Sequence, residues 1–209
     1  MKKAVIFDMD GVLVDNSNIH LESFIIFCKK HQIEMSAEIL APYFGMGNEE
    51  IIPGVFGREM SEEEINALAE EKEEIYREIF SERIKPVDGL VQRLKELKEK
   101  GIKIAVGSSG MEKNVNFVLD KCNIRPYFDA IANGDMVSNA KPDPEVFLLS
   151  AKLLGVDPKD CVVFEDSFAG VKAARSAGMK VIALTTTYAR ELHKDFDYII
   201  DDFTQIDLK

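Results

Sequence analysis

The sequence predicts an α/β fold in which a doubly wound parallel sheet carries a small all-helical domain inserted after the first strand. From Val87 onward, short apolar runs alternate with helical patterns, and strands that alternate with helices form parallel sheets through right-handed crossovers. Residues 15–82, by contrast, show helical patterns and little strand signal. We therefore expect an α/β core of residues 1–14 and 83–209 and a helical domain of residues 15–82.

The first strand is expected at Ala4–Phe7, where β-branched and aromatic residues form a short apolar run. Asp8 and Asp10 follow it two positions apart, so on an extended chain they emerge on one side. Gly11 then allows the backbone to turn sharply. Carboxylates at the C-terminal end of a buried strand lie where open α/β sheets bind ligands, although an isolated Asp-x-Asp is more often a polar end to a strand.

The inserted domain is expected to contain a helix near residues 19–31, several short helices and one long helix. Proline and glycine residues interrupt the chain between positions 42 and 57, which favours short helices. Ser61 followed by Glu64 is a capping box that opens the long helix. The apolar residues of that helix fall on one stripe, which also includes Lys72: Ile65, Leu68, Ile75 and Ile79.

The rest of the chain is expected to alternate between helix and strand. Helices are expected from a cap at Asp88 to a stop at Gly101, over residues 114–122, from residue 143 to just before Gly155, and over residues 167–178. Strands are expected over residues 102–106, 128–132, 161–164, 180–184 and 198–200. Because ligands from several strand ends must converge on Asp8, the sheet is expected to have the central order 3-2-1-4-5, with the Asp8 strand in the middle.

Polar residues cluster where three of the later strands end. The second strand runs into Gly107-Ser108-Ser109-Gly110, whose small residues let backbone N–H groups approach an anion. Lys141 follows the third strand, and Glu165 and Asp166 follow the fourth. Taken singly, each cluster is also compatible with an ordinary turn, a solvated lysine or a helix cap.

Together, these clusters indicate a phosphate site. Acids alone would repel one another and a phosphate group. A divalent cation such as Mg²⁺ would offset this repulsion, because it binds the hard oxygen atoms of both carboxylates and phosphates. The arrangement therefore favours phosphoryl transfer through an aspartyl-phosphate.

The composition limits the range of partners. A formal net charge of −11 argues against binding of nucleic acid or anionic membranes through bulk charge, and no uninterrupted apolar stretch is long enough to span a bilayer. Cys28, Cys122 and Cys161 have no metal-binding spacing and are expected to be reduced core thiols of a cytoplasmic protein. The expected partner is a small-molecule phosphate ester, and the expected assembly is a monomer or a weak dimer.

In order and type, these motifs resemble those of the haloacid dehalogenase (HAD) superfamily. Asp8-Met9-Asp10-Gly11-Val12, Ser108, Lys141-Pro142 and Glu165-Asp166 match its four motifs in sequence. Lys141-Pro142-Asp143-Pro144 and Glu165-Asp166-Ser167 with Ala169-Gly170 look like the subgroup that contains β-phosphoglucomutase and sugar-phosphate phosphatases. The resemblance covers essentially the whole chain and implies a Rossmann-like, HAD-like core with residues 15–82 as a helical cap.

The resemblance implies a role for each core residue. Asp8 is expected to be the nucleophile and Asp10 the general acid and base, while Lys141 offsets charge in the transition state. The expected Mg²⁺ ligands are the Asp8 carboxylate, the Asp10 backbone carbonyl and Asp166, with Glu165 supporting the metal site or binding a metal water. The phosphoryl oxygens are expected to be held by Ser108, Ser109 and Gly110.

The same resemblance assigns substrate choice to the cap. His20 and Lys72 match a hinge histidine and a substrate-facing lysine of β-phosphoglucomutase, although a part-buried helix residue and a snorkelling stem explain them equally well. Asn48, in the segment 45–50, stands where the mutase has an arginine for its second phosphate. Asparagine lacks the charged, bidentate grip of arginine on phosphate.

The loop after Ser108 is longer than in the mutase, so Lys113 and Asn114 are not assigned to ligands. The chain is expected to be a Mg²⁺-dependent phosphatase that hydrolyses a small phosphomonoester, with a sugar phosphate as the favoured class. A phosphomutase is the alternative. A catalytically silent binding protein on the same fold is a third reading, since fold does not guarantee function.

Overall fold

The computed structural model describes residues 2–40, 47–193, 196 and 198–206. The chain divides into two compact units: unit 1 comprises Met1–Asp15 with Ile84–Lys209, and unit 2 comprises Asn16–Arg83. Each junction lies one residue beyond the boundary expected from the sequence. The interruptions expected at positions 42–46 fall outside the described residues. No helix in the described part of the chain combines the length and apolar character that crossing a bilayer requires.

Within the described residues, unit 1 is built on a six-stranded parallel sheet. The strands are β1 (Ala4–Phe7), β2 (Lys103–Gly107), β3 (Ala130–Ala132), β4 (Cys161–Glu165), β5 (Lys180–Leu184) and β6 (Ile199–Ile200). Their order is β3-β2-β1-β4-β5-β6, and every neighbouring pair is parallel. The predicted α/β fold, with the Asp8 strand in the middle of a 3-2-1-4-5 order, is confirmed.

Helices form unit 2 and connect the strands of unit 1. The α-helices of the described residues are α1 (Ser17–Lys30), α2 (Ala37–Leu40), α3 (Asn48–Phe56), α4 (Glu62–Ser81), α5 (Leu90–Glu99), α6 (Glu112–Lys121), α7 (Glu145–Leu154) and α8 (Phe168–Ser176). In unit 1, α5 precedes β2, and α6, α7 and α8 each lie between consecutive strands. Parallel neighbours need such crossover connections, because a tight hairpin joins only antiparallel strands.

The register of the sheet brings the polar strand ends to one edge. Phe7 pairs with Val106 on one side and with Phe164 on the other. Since the three strands run in the same direction, the residues that follow these positions lie side by side at the C-terminal edge. The backbone N–H of Asp8 donates to the Phe164 carbonyl at 3.0 Å, which fixes the first aspartate to the neighbouring strand.

The third strand is shorter than the sequence predicts. It was expected over residues 128–132, whereas β3 begins at Ala130, after a 3-10 turn at Arg125–Tyr127. Asp129 lies between the two and uses its carboxylate to accept the backbone N–H of Ile104 at 2.8 Å. The backbone N–H of Asp129 in turn donates to the Ile104 carbonyl at 2.7 Å, so Asp129 begins the contact with β2 through its backbone and its side chain together.

Unit 2 buries charged groups beside an apolar core. The core consists of Phe24, Phe27, Cys28, Leu40 and Ile51. The four apolar residues of the predicted α4 stripe are only half-buried, although two of them, Leu68 and Ile75, pack against this core. The fully buried positions of α4 are Ala69, Lys72, Glu73, Tyr76 and Phe80. The buried face shares Lys72 with the predicted stripe and is otherwise displaced by one position along the helix, and Glu73 is the charged member that a search for apolar residues misses.

Leu94 and Leu153 form a matched pair for testing the core of unit 1. Both are helical leucines, but Leu94 in α5 is fully buried whereas Leu153 in α7 is 47% exposed. We expect Leu94→Ala to lower the free energy of unfolding by about 2–5 kcal/mol, because it removes buried methyl groups and leaves a cavity. Leu153→Ala should change it by less than about 0.5 kcal/mol. Urea unfolding followed by circular dichroism measures both, and equal losses would contradict this assignment of the core.

Candidate active site

Three carboxylates meet at the C-terminal edge of the sheet of unit 1. Asp8 follows β1, Glu165 ends β4 and Asp166 comes next along the chain. One oxygen of each lies within 4.8 Å of one oxygen of the others. The three residues are only 7, 0 and 5% exposed, respectively. Carboxylates buried at this spacing need compensating positive charge, because their ionised forms have lost water and repel one another.

Lys141 supplies part of that charge. It lies in the segment between β3 and α7, and its Nζ is 2.8 Å from Oδ1 of Asp8 and 2.7 Å from Oε1 of Glu165. The ammonium also lies 4.7 Å from the centre of the Phe147 ring, a distance at which the ring face attracts a cation. The lysine singled out in the sequence thus contacts two of the three acids. One ammonium can balance the negative charge of only one of the three carboxylates.

Glu165 uses both carboxylate oxygens within the chain. Oε1 accepts from Lys141, while Oε2 accepts from the backbone N–H groups of Asp166 and Ser167 at 2.7 and 2.6 Å and from the Ser167 hydroxyl at 3.0 Å. A Cβ at Gly170 would lie 1.6 Å from Oε1, so α8 admits this carboxylate only because position 170 is glycine. These contacts make Glu165 a support for Lys141 and for the start of α8; direct coordination of a metal by Glu165 stays a prediction.

Burial and mutual repulsion shift the pKa values of the acids. Burial raises the pKa of Asp8 to about 7; Glu165 and Asp10 add to the rise, and Lys141 opposes it. Burial likewise raises the pKa of Asp166 well above its ordinary value, with help from Glu165 and Asp8. Burial lowers the pKa of Lys141, but Asp8 and Glu165 outweigh burial and the net shift is upward. Hard oxygen donors with this excess of negative charge fit a divalent cation such as Mg²⁺.

Asp10 and Gly11 lie in the turn that leaves β1. Gly11 has φ +69°, in the left-handed region that glycine enters without steric cost. Asp10 is half-buried, and its charge raises the pKa of Asp8. A Cβ at Gly11 would lie 2.0 Å from Oδ2 of Asp166. The turn after β1 and the acid after β4 are therefore in close contact.

Ser108 begins a tight loop at the same edge of the sheet. Its backbone N–H donates to the Ala132 carbonyl at 3.1 Å, and its buried hydroxyl accepts the Gly110 N–H at 2.9 Å. Gly134, which sequence reasoning missed, donates its N–H to the Gly110 carbonyl at 2.9 Å. A Cβ at Gly134 would lie 2.4 Å from the Ser109 carbonyl oxygen. The loop that contains the predicted phosphate ligands is thus held by the segment after β3.

Two threonines at this edge were also missed from the sequence. Thr186 and Thr187 follow β5, and their hydroxyls donate to the Gly11 carbonyl and to Oδ2 of Asp166, respectively. The run Thr185-Thr186-Thr187 directly after the fifth predicted strand is a signal that could have identified them, because the carboxyl ends of parallel strands share one edge.

The residues predicted to choose the substrate lie together inside unit 2. Lys72 is 2% exposed, and its Nζ lies 2.9 Å from Oε1 of Glu73 and 3.0 Å from Nδ1 of His20. The Asn48 amide donates to the same Glu73 oxygen at 3.1 Å. The His20 ring stacks on Tyr76 with centroids 4.2 Å apart. Glu73, which the sequence did not single out, thus contacts both Lys72 and Asn48; contact of any of these residues with a substrate stays a prediction.

The charge of Glu73 matters for this network. Although burial opposes it, the charges of Lys72 and His20 and hydrogen bonds from Lys72 and Asn48 lower the pKa of Glu73 to about 2. Glu73 is therefore ionised at neutral pH and compensates the Lys72 ammonium.

Two further sequence positions remain without an assigned role. Lys113 is exposed and Asn114 is buried in the first turn of α6, so their assignment to a ligand stays open. Gly45 and Met46, which precede Asn48 in the matched segment, lie outside the described residues.

A cluster of buried acids at the C-terminal edge of a parallel sheet occupies the position at which open α/β enzymes bind their ligands, and places this chain among them. A sequence model of the haloacid dehalogenase-like hydrolase family matches residues 5–184. The match covers most of the chain, which therefore belongs to this family. The predicted family and hydrolase class are confirmed.

Individual relatives include phosphatases and a mutase. The chain is 35% identical over 199 residues to SUPPRESSOR OF QUENCHING 1 of Arabidopsis thaliana; the match covers 92% of this chain but only 19% of that much longer protein. It is 33% identical over 180 residues to the phosphorylated carbohydrates phosphatase of Thermotoga maritima, covering 86% and 83% of the two chains. The crystal structure of β-phosphoglucomutase from Clostridium difficile is similar with a TM-score of 0.85 at 31% identity, covering 100% of this chain and 94% of the other.

Glu73 makes the stability of the protein depend on pH. Its folded-state pKa of about 2 is below its ordinary value of 4.5, so its contribution is present above about pH 4.5 and is lost as the pH falls towards 2. We expect Glu73→Gln to lower the free energy of unfolding by about 3 kcal/mol at pH 6, because it leaves Lys72 buried without its carboxylate. The difference from wild type should shrink as the pH falls below about 4.5.

The matched control is Glu74→Gln, at an exposed position next along α4. It should leave the free energy of unfolding within about 0.5 kcal/mol of wild type at pH 6. Urea unfolding at a series of pH values measures all three proteins. A Glu73→Gln deficit that stays constant down to pH 3 would show that the Glu73 charge does not stabilise unit 2.

Proposed function

We propose that this chain is a Mg²⁺-dependent phosphatase that hydrolyses a small phosphomonoester, with a sugar phosphate as the favoured substrate class. The observation that carries the proposal is the buried contact between Asp8 and Lys141 beside two further acids. A carboxylate that attacks a phosphate needs such a cationic partner, because the reaction brings negative charges together. The likeness to the phosphorylated carbohydrates phosphatase supports the substrate class.

The proposed Mg²⁺ ligands are the Asp8 carboxylate, the Asp10 backbone carbonyl and Asp166, with Glu165 as a support for the site. When bound, the ion offsets the charge of the acids and of the phosphoryl oxygens. The raised pKa values of Asp8 and Asp166 support this role, because a nearby cation favours the ionised form of each acid.

Hydrolysis is proposed to take place in two steps at Asp8. In the first, a carboxylate oxygen of Asp8 bonds to phosphorus, the ester P–O bond breaks, and Asp10 donates a proton to the departing oxygen. In the second, water attacks phosphorus and gives a proton to Asp10. The bond between phosphorus and the Asp8 oxygen breaks, which releases inorganic phosphate and regenerates the Asp8 carboxylate. Lys141 reduces the repulsion between Asp8 and the phosphate, while Ser108 and the Ser109 N–H hold the phosphoryl oxygens.

Substitution of the nucleophile Asp8 and of the general acid Asp10 should have different effects. Asp8→Asn should abolish turnover, because a neutral amide is a poor nucleophile. Asp10→Asn should lower turnover by about 10²–10⁴-fold, the usual contribution of a general acid or base, yet keep Mg²⁺ binding, because its proposed metal contact is a backbone carbonyl. Release of phosphate from a panel of phosphate esters, with and without Mg²⁺, measures activity and substrate class together.

Asp120→Asn is the matched control, since Asp120 is exposed and pairs with Arg125 on the surface. It should retain full activity. Wild-type turnover by Asp8→Asn would refute the proposed nucleophile. Wild-type protein that binds phosphate esters without releasing phosphate from any of them would favour a silent binding protein.

A phosphomutase is the second candidate, favoured by the likeness to β-phosphoglucomutase. Both reactions need the same acids, so the core of unit 1 does not separate them. A mutase must also hold a bisphosphate and keep water from the aspartyl-phosphate. In unit 2, the predicted ligands Lys72 and Asn48 are both bonded to an ionised Glu73. The charge of Lys72 and a hydrogen bond from the Asn48 amide are thus already directed at Glu73 and not at a second phosphate, which favours the phosphatase.

Product analysis with β-glucose 1-phosphate separates the two candidates. If this ester is accepted, inorganic phosphate should form faster than glucose 6-phosphate. Asn48→Arg should raise affinity for a glucose bisphosphate by about 10–100-fold, the value of a charged hydrogen bond, without creating an efficient mutase. Product quantification by ³¹P NMR and bisphosphate inhibition constants provide the two measurements.

Asn66→Arg, on the exposed side of α4, adds the same charge to unit 2 at another position and should leave bisphosphate affinity unchanged. Conversion of β-glucose 1-phosphate mainly into glucose 6-phosphate, with little phosphate released, would establish the mutase instead.

A further inference from the structure

The segment after β5 reaches the acids through two threonines. The Thr186 hydroxyl donates to the backbone carbonyl of Gly11, and the Thr187 hydroxyl donates to Oδ2 of Asp166. Gly11 lies directly after the proposed backbone ligand Asp10. The pair of threonines thus contacts both chain segments that are proposed to supply Mg²⁺ ligands, although neither threonine belongs to the motifs.

Asp166 and Thr187 occupy the space beside Gly11 that a side chain at position 11 would fill. A Cβ at Gly11 would lie 2.0 Å from Oδ2 of Asp166 and 2.9 Å from the Thr187 hydroxyl oxygen. The turn after β1, the acid after β4 and the hydroxyl after β5 are therefore packed against one another. A hydroxyl that donates to one oxygen of a carboxylate restricts its rotation and determines which way the other oxygen faces.

We propose that Thr187 is a positioning residue for the cation site: by holding Oδ2 of Asp166, it orients this carboxylate so that Oδ1 can coordinate a divalent cation. The inference rests on the proposed function, in which Asp166 is a cation ligand. Groups that orient a metal ligand typically contribute about 10–100-fold to affinity or activity. Thr187 acts on the cation only through Asp166.

Two other roles of the Thr187 hydroxyl predict a different effect of its removal on cation affinity. A hydroxyl that merely anchors the loop after β5 would, when removed, lower stability and leave cation affinity unchanged. A hydroxyl that competes with the cation for Asp166 would, when removed, make cation binding tighter. A direct measurement of cation binding therefore separates the three roles.

The experiment measures Mn²⁺ binding to the substrate-free protein from the electron paramagnetic resonance of the free ion, together with the Mg²⁺ dependence of phosphate release. Thr187→Val replaces the hydroxyl by a methyl group of similar volume. It should weaken Mn²⁺ binding by about 10–100-fold and raise the Mg²⁺ concentration for half-maximal activity by a similar factor. Thr187→Ser keeps the hydroxyl and should bind Mn²⁺ nearly as tightly as wild type.

Thr185→Val is the matched control. Thr185 lies two residues earlier and is half-buried like Thr187, but its hydroxyl donates to Asp201 at 2.6 Å. The same loss of a carboxylate hydrogen bond there should leave Mn²⁺ binding unchanged.

The outcomes distinguish this inference from the function on which it rests. Mn²⁺ binding that is unchanged or tighter in folded Thr187→Val would overturn the positioning role while leaving the proposed function intact. If Thr187→Val does not fold, Thr187→Ala replaces it, and equal binding by the alanine and serine variants would overturn the role. Wild-type protein that binds no Mn²⁺ would refute the cation site itself, and the inference with it.

Discussion

The contact of Lys141 with both Asp8 and Glu165 is the interaction on which the arrangement of unit 1 depends. A buried charge without a partner costs several kcal/mol, so groups from separate segments must reach one point. Parallel pairing of β1 with β4 sets Phe7 beside Phe164 and so brings the next residues, Asp8 and Glu165, side by side. Lys141 comes from a loop, and the face of Phe147 and the two carboxylates hold its ammonium.

The two units bury lysine and carboxylate in different proportions. In unit 2, one ammonium of Lys72 meets one carboxylate of Glu73, and the pKa of that carboxylate falls to about 2. In unit 1, three carboxylates lie together, one ammonium contacts two of them, and the pKa values of Asp8 and Asp166 rise. The same pairing is thus complete in one unit and incomplete in the other. This excess of acid supports the divalent cation that we propose for unit 1.

The sequence predicts the centre of the sheet well because recognisable polar residues follow each of the first four strands. Strand order follows from the need for Asp8, Ser108 and Asp166 to share an edge, and the structure has that order. The buried face of α4 is displaced by one position from the predicted stripe, although the two share Lys72, because a buried carboxylate such as Glu73 is invisible to a search for apolar periodicity. Thr187 was missed for another reason: its position after the fifth predicted strand places it at the right edge of the sheet, but its partner Asp166 is distant in sequence and only the structure shows their contact.

Glycines carry information about the site that reactive residues do not. A Cβ at Gly11, Gly134 or Gly170 would come within 2.4 Å or less of a carboxylate or carbonyl oxygen of the site. Each of these glycines marks a place where one segment approaches another too closely for any side chain. Gly134 is the instructive case, because it belongs to none of the motifs and yet its N–H holds the loop that contains Ser109 and Gly110. The reactive side chains of a motif indicate the chemistry, whereas glycines inside and outside the motifs mark where the backbone packs closely around those side chains.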